Sequence, residues 1–334
     1  MTRRFIPVVV AVVLLAAACS SANSGDTTPS DTLTTTSSEA PVTTTLVTPE
    51  TTTSEVPDGF PVTIDAPNGQ VKIESRPERV ISISPTSTEV LFAIGAGDRV
   101  VAVDSLSNFP ADAPVTDLSA FTPSVEAIAS FNPDLVFLSF DPGDIVAGLE
   151  AIGIPVIVHG TAFDVDDAYT QWEQVGAATG YVAEAASLVA ETMLSIESSF
   201  ESLPGGSEAL NYYYELDPTL YSATSETFIG GLLAPIGMQN IADAADVDGF
   251  GYPQLTAEYV IDSDPTFILL ADTKCCGASA ETVAERPGWD TLSAVMNDGI
   301  VELDDDTASR WGPRIAELVD DVVGAILELE AANA

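Results

Sequence analysis

DVDDAYTQWEQVGAATGYVAEAASLVAETMLSIESSF, Asp164 to Phe200, is the stretch that decides how the rest of the chain is read. Ala168, Trp172, Val175, Ala178, Val182, Ala186, Val189, Met193 and Ile196 recur in steps of three and four, the spacing of one helical stripe. Asp164, Asp166 and Asp167 crowd its start, where the helix dipole favours negative charge, and Pro204-Gly205-Gly206 stops it. The pattern predicts one long helix within 164–203. At about 1.5 Å per residue it runs roughly 50 Å, well beyond the usual ~11–12 residues. Such a helix is too long to be a crossover within one small sheet, and it is expected to join two bodies. Coiled-coil heptads do not persist on either side.

On both sides of this stretch, short apolar strands alternate with helices. VTIDAPNGQVKIES reads as a hairpin around Asn68-Gly69. Val80–Ile83, Val100–Val103, Leu135–Leu138 and Val156–Val158 follow as buried strands, with helices over Thr86–Ile94 and Ile145–Ile152. After the long helix come strands at Leu210–Tyr214, Phe267–Leu270 and Ile300–Leu303, and helices at Thr227–Ile236 and Gly312–Leu329. This alternation indicates parallel α/β architecture. SVEAIASFNPDLVFL (Ser124–Leu138) and TAEYVIDSDPTFILL (Thr256–Leu270) echo one another: Glu126 matches Glu258, Pro133 matches Pro265, and each proline leads into a strand. Ser124 and Thr256 are the expected N-caps. The expected fold is two doubly wound α/β lobes, 58–163 and 204–334, joined by one long α-helix over 164–203.

The N-terminal part has a different character. Arg3 and Arg4, the apolar run Phe5–Leu15 and Ala16-Ala17-Ala18 make residues 1–18 an expected export signal, too short to span a bilayer. LLAAAC resembles a bacterial lipobox, which implies lipidation at Cys19 and a membrane-anchored, extracytoplasmic protein. Residues 19–57 are dominated by Thr, Ser and Pro and are expected to form a disordered tether. The chain carries 10 Lys+Arg against 51 Asp+Glu, a formal charge of −41, which argues against nucleic acid or anionic lipid surfaces as partners.

ERVISISPTSTEVLFAIGAGDRVVAVD (Glu78–Asp104) resembles the opening of the helix-linked solute-binding proteins of ABC importers for ferric siderophores and cobalamin. The resemblance continues through SVEAIASFNPDLVFL, ETFIGGLLAPIGMQNIAD, RPGWDTLSAVMNDGIVELD and WGPRIAELVDDVVGAIL, so it covers nearly all of 60–329. It implies a monomeric receptor that captures its ligand between the lobes, closes only slightly, and delivers it to a permease driven by its ATPase. It also implies that one glutamate per lobe docks on basic permease residues; the matching positions are Glu126 and Glu258.

A doubly wound sheet binds ligands outside the carboxyl ends of its strands. In the first lobe this selects Pro85-Thr86-Ser87, Phe109, Phe121, Phe140 and His159; in the second, Glu215, Phe250-Gly251-Tyr252, Lys274-Cys275-Cys276 and Arg310-Trp311. Thr86, Phe109, Phe121, Phe140, Tyr252, Lys274, Arg310 and Trp311 are the candidate ligand contacts, the aromatics suiting a large flat ligand. No Lys or Arg lies between Val100 and Thr273, which makes Lys274 and Arg310 the cations expected to hold an anionic chelate. Each can equally form an ion pair with a nearby acid, and Arg314 is expected to pair with Glu317 or a neighbouring strand-end acid. Cys275 and Cys276 can form a vicinal disulfide, two thiols or soft-metal ligands.

No G-x-S-x-G elbow or C-x-x-C pattern occurs, and a single histidine excludes a His-rich metal site. A non-enzymatic protein without a cofactor or resident metal is therefore expected, with a lipid-anchored hydrolase or an adhesive lipoprotein as the competing classes. A ferric siderophore is the first expected cargo, being the commonest in the family and suited to Lys274 and Arg310. A corrinoid is second. Haem is third, because no ligand can be singled out among Tyr212, Tyr213, Tyr214 and Tyr252.

Overall fold

The computed structural model describes residues 59–205 and 209–333. The expected signal segment, Cys19 and the tether lie outside the described residues.

The first lobe opens with the antiparallel pair β1 (Val62–Ala66) and β2 (Gly69–Ile73), in which Ala66 faces Gly69 across a two-residue turn. Then follow β3 (Val80–Ile83), α1 (Pro85–Ala93), β4 (Val100–Asp104), β5 (Val115–Leu118), α2 (Val125–Ala129), β6 (Leu135–Leu138), α3 (Ile145–Glu150) and β7 (Val156–Val158). The five strands β3 to β7 form one parallel sheet in the order β5-β4-β3-β6-β7. The winding reverses at β3, which opens a crevice between the carboxyl ends of β3 and β6.

Asp164 caps the next helix, its side chain accepting from the Asp167 N–H. The long helix is not continuous, however. It divides into α4 (Val165–Thr179) and α5 (Val182–Glu201), with Gly180 in the left-handed region at φ 77°. Past the break the buried face shifts off the stripe read from the sequence: Val182, Ala186 and Met193 are exposed, while Ala185 and Thr192 are buried together with Ile196. Gly180 ends α4 as a C-cap glycine, and Gly176 lets the two helices meet: a Cβ there would lie 2.4 Å from the Ala185 Cβ. Arg76 secures the elbow by donating to the carbonyls of Thr179 and Gly180 while stacking 4.6 Å above the Tyr181 ring.

The second lobe comprises β8 (Asn211–Glu215), α6 (Phe228–Leu233), β9 (Gln239–Asn240), α7 (Ala257–Ser263), β10 (Phe267–Leu270), α8 (Thr273–Cys276), α9 (Ala280–Ala284), α10 (Ser293–Met296), β11 (Ile300–Glu302), α11 (Asp305–Ala308) and α12 (Ile315–Asn333). Its strands are again parallel, in the order β11-β10-β8-β9. The internal echo is structural. Ser124 caps α2 and Thr256 caps α7 through the same side-chain bond, and each helix feeds a central strand. Asn132 and Asp264, each preceding the paired proline, both adopt positive φ, 50° and 40°, which short polar side chains tolerate.

Two apolar clusters serve one lobe each. A third runs continuously from β1, β2 and α1 through Trp172 on α4 to Tyr214, Leu232 and α12. The lobes thus share a core, which restricts how far they can separate.

Gly180→Val is expected to cost about 2–3 kcal/mol of unfolding free energy in urea, because a β-branched residue at positive φ is strained and the new side chain meets the Arg76 Nε. Gly180→Asn is expected to cost less than about 1 kcal/mol.

Candidate functional site

Because each sheet is parallel, all its carboxyl-end loops emerge on one edge. The loops at those edges are also where the lobes touch. Asn108, after β4, donates to Asp306 in α11, and Arg310 donates to the Leu106 carbonyl and the Asn108 side-chain oxygen. The two carboxyl-end edges therefore face one another across a cleft.

At its base lies an ionic cluster that sequence reasoning does not single out. Glu89 of α1, 2% exposed, accepts from Arg310 at 2.9 Å and from Arg314 at 2.8 Å, both from the opposite lobe. Arg314 also stacks 4.3 Å from the Phe109 ring. The expected Arg314–Glu317 pairing is therefore replaced by a bond across the cleft. Thr86 to Leu91 are all buried in the fold, and a carboxylate within so enclosed a turn requires a partner, a demand that appears only once the lobes are packed. Beside the cluster, Trp172 donates to the Trp311 carbonyl, and the Trp311 indole donates to Gln171.

The cations assigned to an anionic ligand are already neutralised. Arg310 is satisfied by Glu89 and Asp306, and Lys274 lies 2.6 Å from Asp304 and 3.0 Å from Asp306. Arg286 clasps Glu215 with two bonds of 2.6 Å, so the buried Glu215 is structural. Thr86 and His159 are likewise buried. Burial holds the His159 imidazole neutral, its pKa lowered to about 4. Among the described residues, every Lys and Arg is engaged: Lys72 with Glu74, Arg99 with Glu78, Arg79 with the carbonyls of Phe131 and Asn132, and Arg76 at the elbow.

The aromatic residues, by contrast, are available. Phe121 and Phe140 sit as a pair, ring centroids 6.0 Å apart, in the first lobe's loops, with Phe121 69% exposed. Phe109 is partly exposed on Arg314, and Phe250 and Tyr252 stand out from the second lobe at 81% and 50% exposure. The aromatic expectations thus reach solvent at the cleft edges, whereas Tyr212, Tyr213 and Tyr214 are buried in β8.

Cys275 and Cys276 are joined as a vicinal disulfide on exposed α8. The Asp305 carboxylate fastens this turn by accepting from the Thr273 hydroxyl and from the N–H groups of Lys274 and Cys275. The turn starts at Asp272, whose carboxyl group is fully buried with neither oxygen hydrogen-bonded. Burial, reinforced by Glu215, raises its pKa to about 6; Arg286 acts in the opposite sense. Glu126 and Glu258 are exposed in the first turns of α2 and α7. The backbone N–H and the Ser124 hydroxyl hold the Glu126 carboxyl below its ordinary range.

Between the ordinary aspartate range and about pH 6, the folded chain holds a proton on Asp272 that the unfolded chain has released, so this group's contribution to stability falls as pH rises through that window. His159 acts with the opposite sign, binding its proton more weakly when folded. The measurement is therefore a difference: the stability of Asp272→Asn relative to wild type is expected to rise by about 2–3 kcal/mol between about pH 4 and pH 8.

Comparison with known proteins adds to this geometry. The family described as periplasmic binding protein matches residues 80–307. An uncharacterised ABC transporter substrate-binding lipoprotein of Bacillus subtilis is 30% identical over 277 residues, covering 80% of this chain and 86% of the relative. A protein named cobalamin-binding protein from Halobacterium salinarum is 31% identical over 272 residues, covering 77% of this chain and 72% of that one. Among solved structures, a possible iron-binding, periplasmic solute-binding protein of Staphylococcus epidermidis superposes with a TM-score of 0.66 at 26% identity, covering 75% of this chain and 99% of that chain.

Proposed function

The chain belongs to the periplasmic binding protein family, and we propose that it is the extracytoplasmic receptor of an ABC importer whose cargo is a corrinoid. The observation that carries this reading is the pairing of exposed aromatic rings on both lobes with cations that are all already engaged among the described residues. Flat apolar faces offer stacking area to a large macrocycle. An anionic ligand would have to displace Asp306 or Glu89 from the largely buried Arg310, leaving carboxylates unpaired, or compete with Asp304 and Asp306 for the exposed Lys274. That cost disfavours anionic ferric siderophores, whose case rests on those two cations, and it disfavours haem with its two carboxylates. The likeness to the cobalamin-binding protein of Halobacterium salinarum supports the same choice. A neutral ferric hydroxamate is the second reading, favoured by the likeness to the possible iron-binding protein of Staphylococcus epidermidis.

The receptor is anchored as a monomer through a lipid on Cys19, a reading supported by the lipobox-like LLAAAC and by the lipoprotein name of the Bacillus subtilis relative. Glu126 and Glu258 engage basic residues of the permease. Their support is matched placement, one exposed first-turn carboxylate per lobe on equivalent helices, which suits a two-point electrostatic register.

Two experiments test these assignments. In a tryptophan-fluorescence titration, cyanocobalamin is expected to quench saturably in the submicromolar range while a trianionic ferric catecholate does not. The reverse outcome refutes the corrinoid assignment. Replacing both Glu126 and Glu258 with alanine is expected to leave that binding unchanged while lowering uptake by cells about tenfold or more. Undiminished uptake rejects the docking roles.

A further inference from the structure

Away from the cleft, α4 and α5 meet closely at Gly176 and Ala185 and diverge from there. Their far ends, together with α6, enclose a groove of about 620 Å³. Its floor is apolar: Tyr169 from α4, Ile196 and Phe200 from α5, and Leu232 from α6. Its rim carries Asp166, Glu197 and Glu201 and no Lys or Arg. These three acids are exposed, and none has a hydrogen bond or ion pair among the described residues.

We propose that this groove is a second binding site, for a small organic cation with an apolar body. The apolar part lies on Tyr169, Ile196, Phe200 and Leu232, and the cationic head lies among the three carboxylates. An apolar floor alone would accept any hydrophobic ligand; the unneutralised acidic rim selects the sign of charge. A second copy of this chain, with its formal charge of −41, or an anionic lipid headgroup meets repulsion there. The site is independent of the cleft cargo. It touches both lobes, because α4 packs on α1 and β1 of the first lobe and on α6 of the second.

Calorimetric titration of the whole chain with decyltrimethylammonium, below its micelle concentration, tests the proposal. Saturable one-to-one binding that weakens with added salt is expected, while decyl sulfate, with the same tail, and tetramethylammonium, with no tail, bind at least about tenfold more weakly. The Glu197→Gln/Glu201→Gln pair is expected to lose about tenfold or more in affinity for the cation. Gly231→Leu supplies a steric test: its Cβ has no atom within 4 Å, so the side chain fits on α6 and fills the groove. It too is expected to lose at least about tenfold, with an unfolding midpoint close to that of wild type. Equal affinity for decyl sulfate overturns the charge assignment, and undiminished binding by Gly231→Leu overturns the location.

Discussion

A single carboxylate, Glu89, accepts hydrogen bonds from two guanidinium groups of the opposite lobe, and much of the molecule's design depends on it. Neither side of this cluster can leave the other without exposing an uncompensated charge in a site largely closed to water, a loss worth about 3–5 kcal/mol for a buried pair. The shared apolar core around Trp172 acts in the same direction. Together they make the two sheets a coupled pair and hold the loops that carry the aromatic rings at a set separation.

The chain's charge has a further consequence. With 51 acids and 10 bases, acids compete for each basic side chain, and the described Lys and Arg residues are consumed by internal partners. Arg310, largely buried, therefore organises the cleft, whereas Lys274 is paired at the exposed surface of the second lobe. Phe121, Phe140, Phe250 and Tyr252, by contrast, keep apolar surface in contact with solvent. The unpartnered acids at the helix groove follow from the same imbalance.

The two lobes repeat one device: a capped short helix with a first-turn glutamate, a residue at positive φ, a proline and a buried central strand. The repetition places Glu126 and Glu258 on equivalent outer positions. The elbow at Gly180 then joins the repeated units by a turn between two helices. A glycine inside a long apolar stripe marks such a turn, and past it the buried face shifts, leaving Val182 exposed and Ala185 buried.

Local chemistry determined the elements: apolar strand runs, Ser124 and Thr256 as caps, the alternation that makes both sheets parallel, and the adjacent cysteines that end α8. These depend on spacing and residue type within a few positions, so they can be read from the chain alone. Which acid meets which base could not be read that way. Glu89 lies 221 and 225 residues from its arginines, and Arg286 lies 71 from Glu215. Only the packing of the two lobes decides whether Lys274 or Arg310 faces ligand or protein, because a charge's role depends on which neighbours exclude water from it.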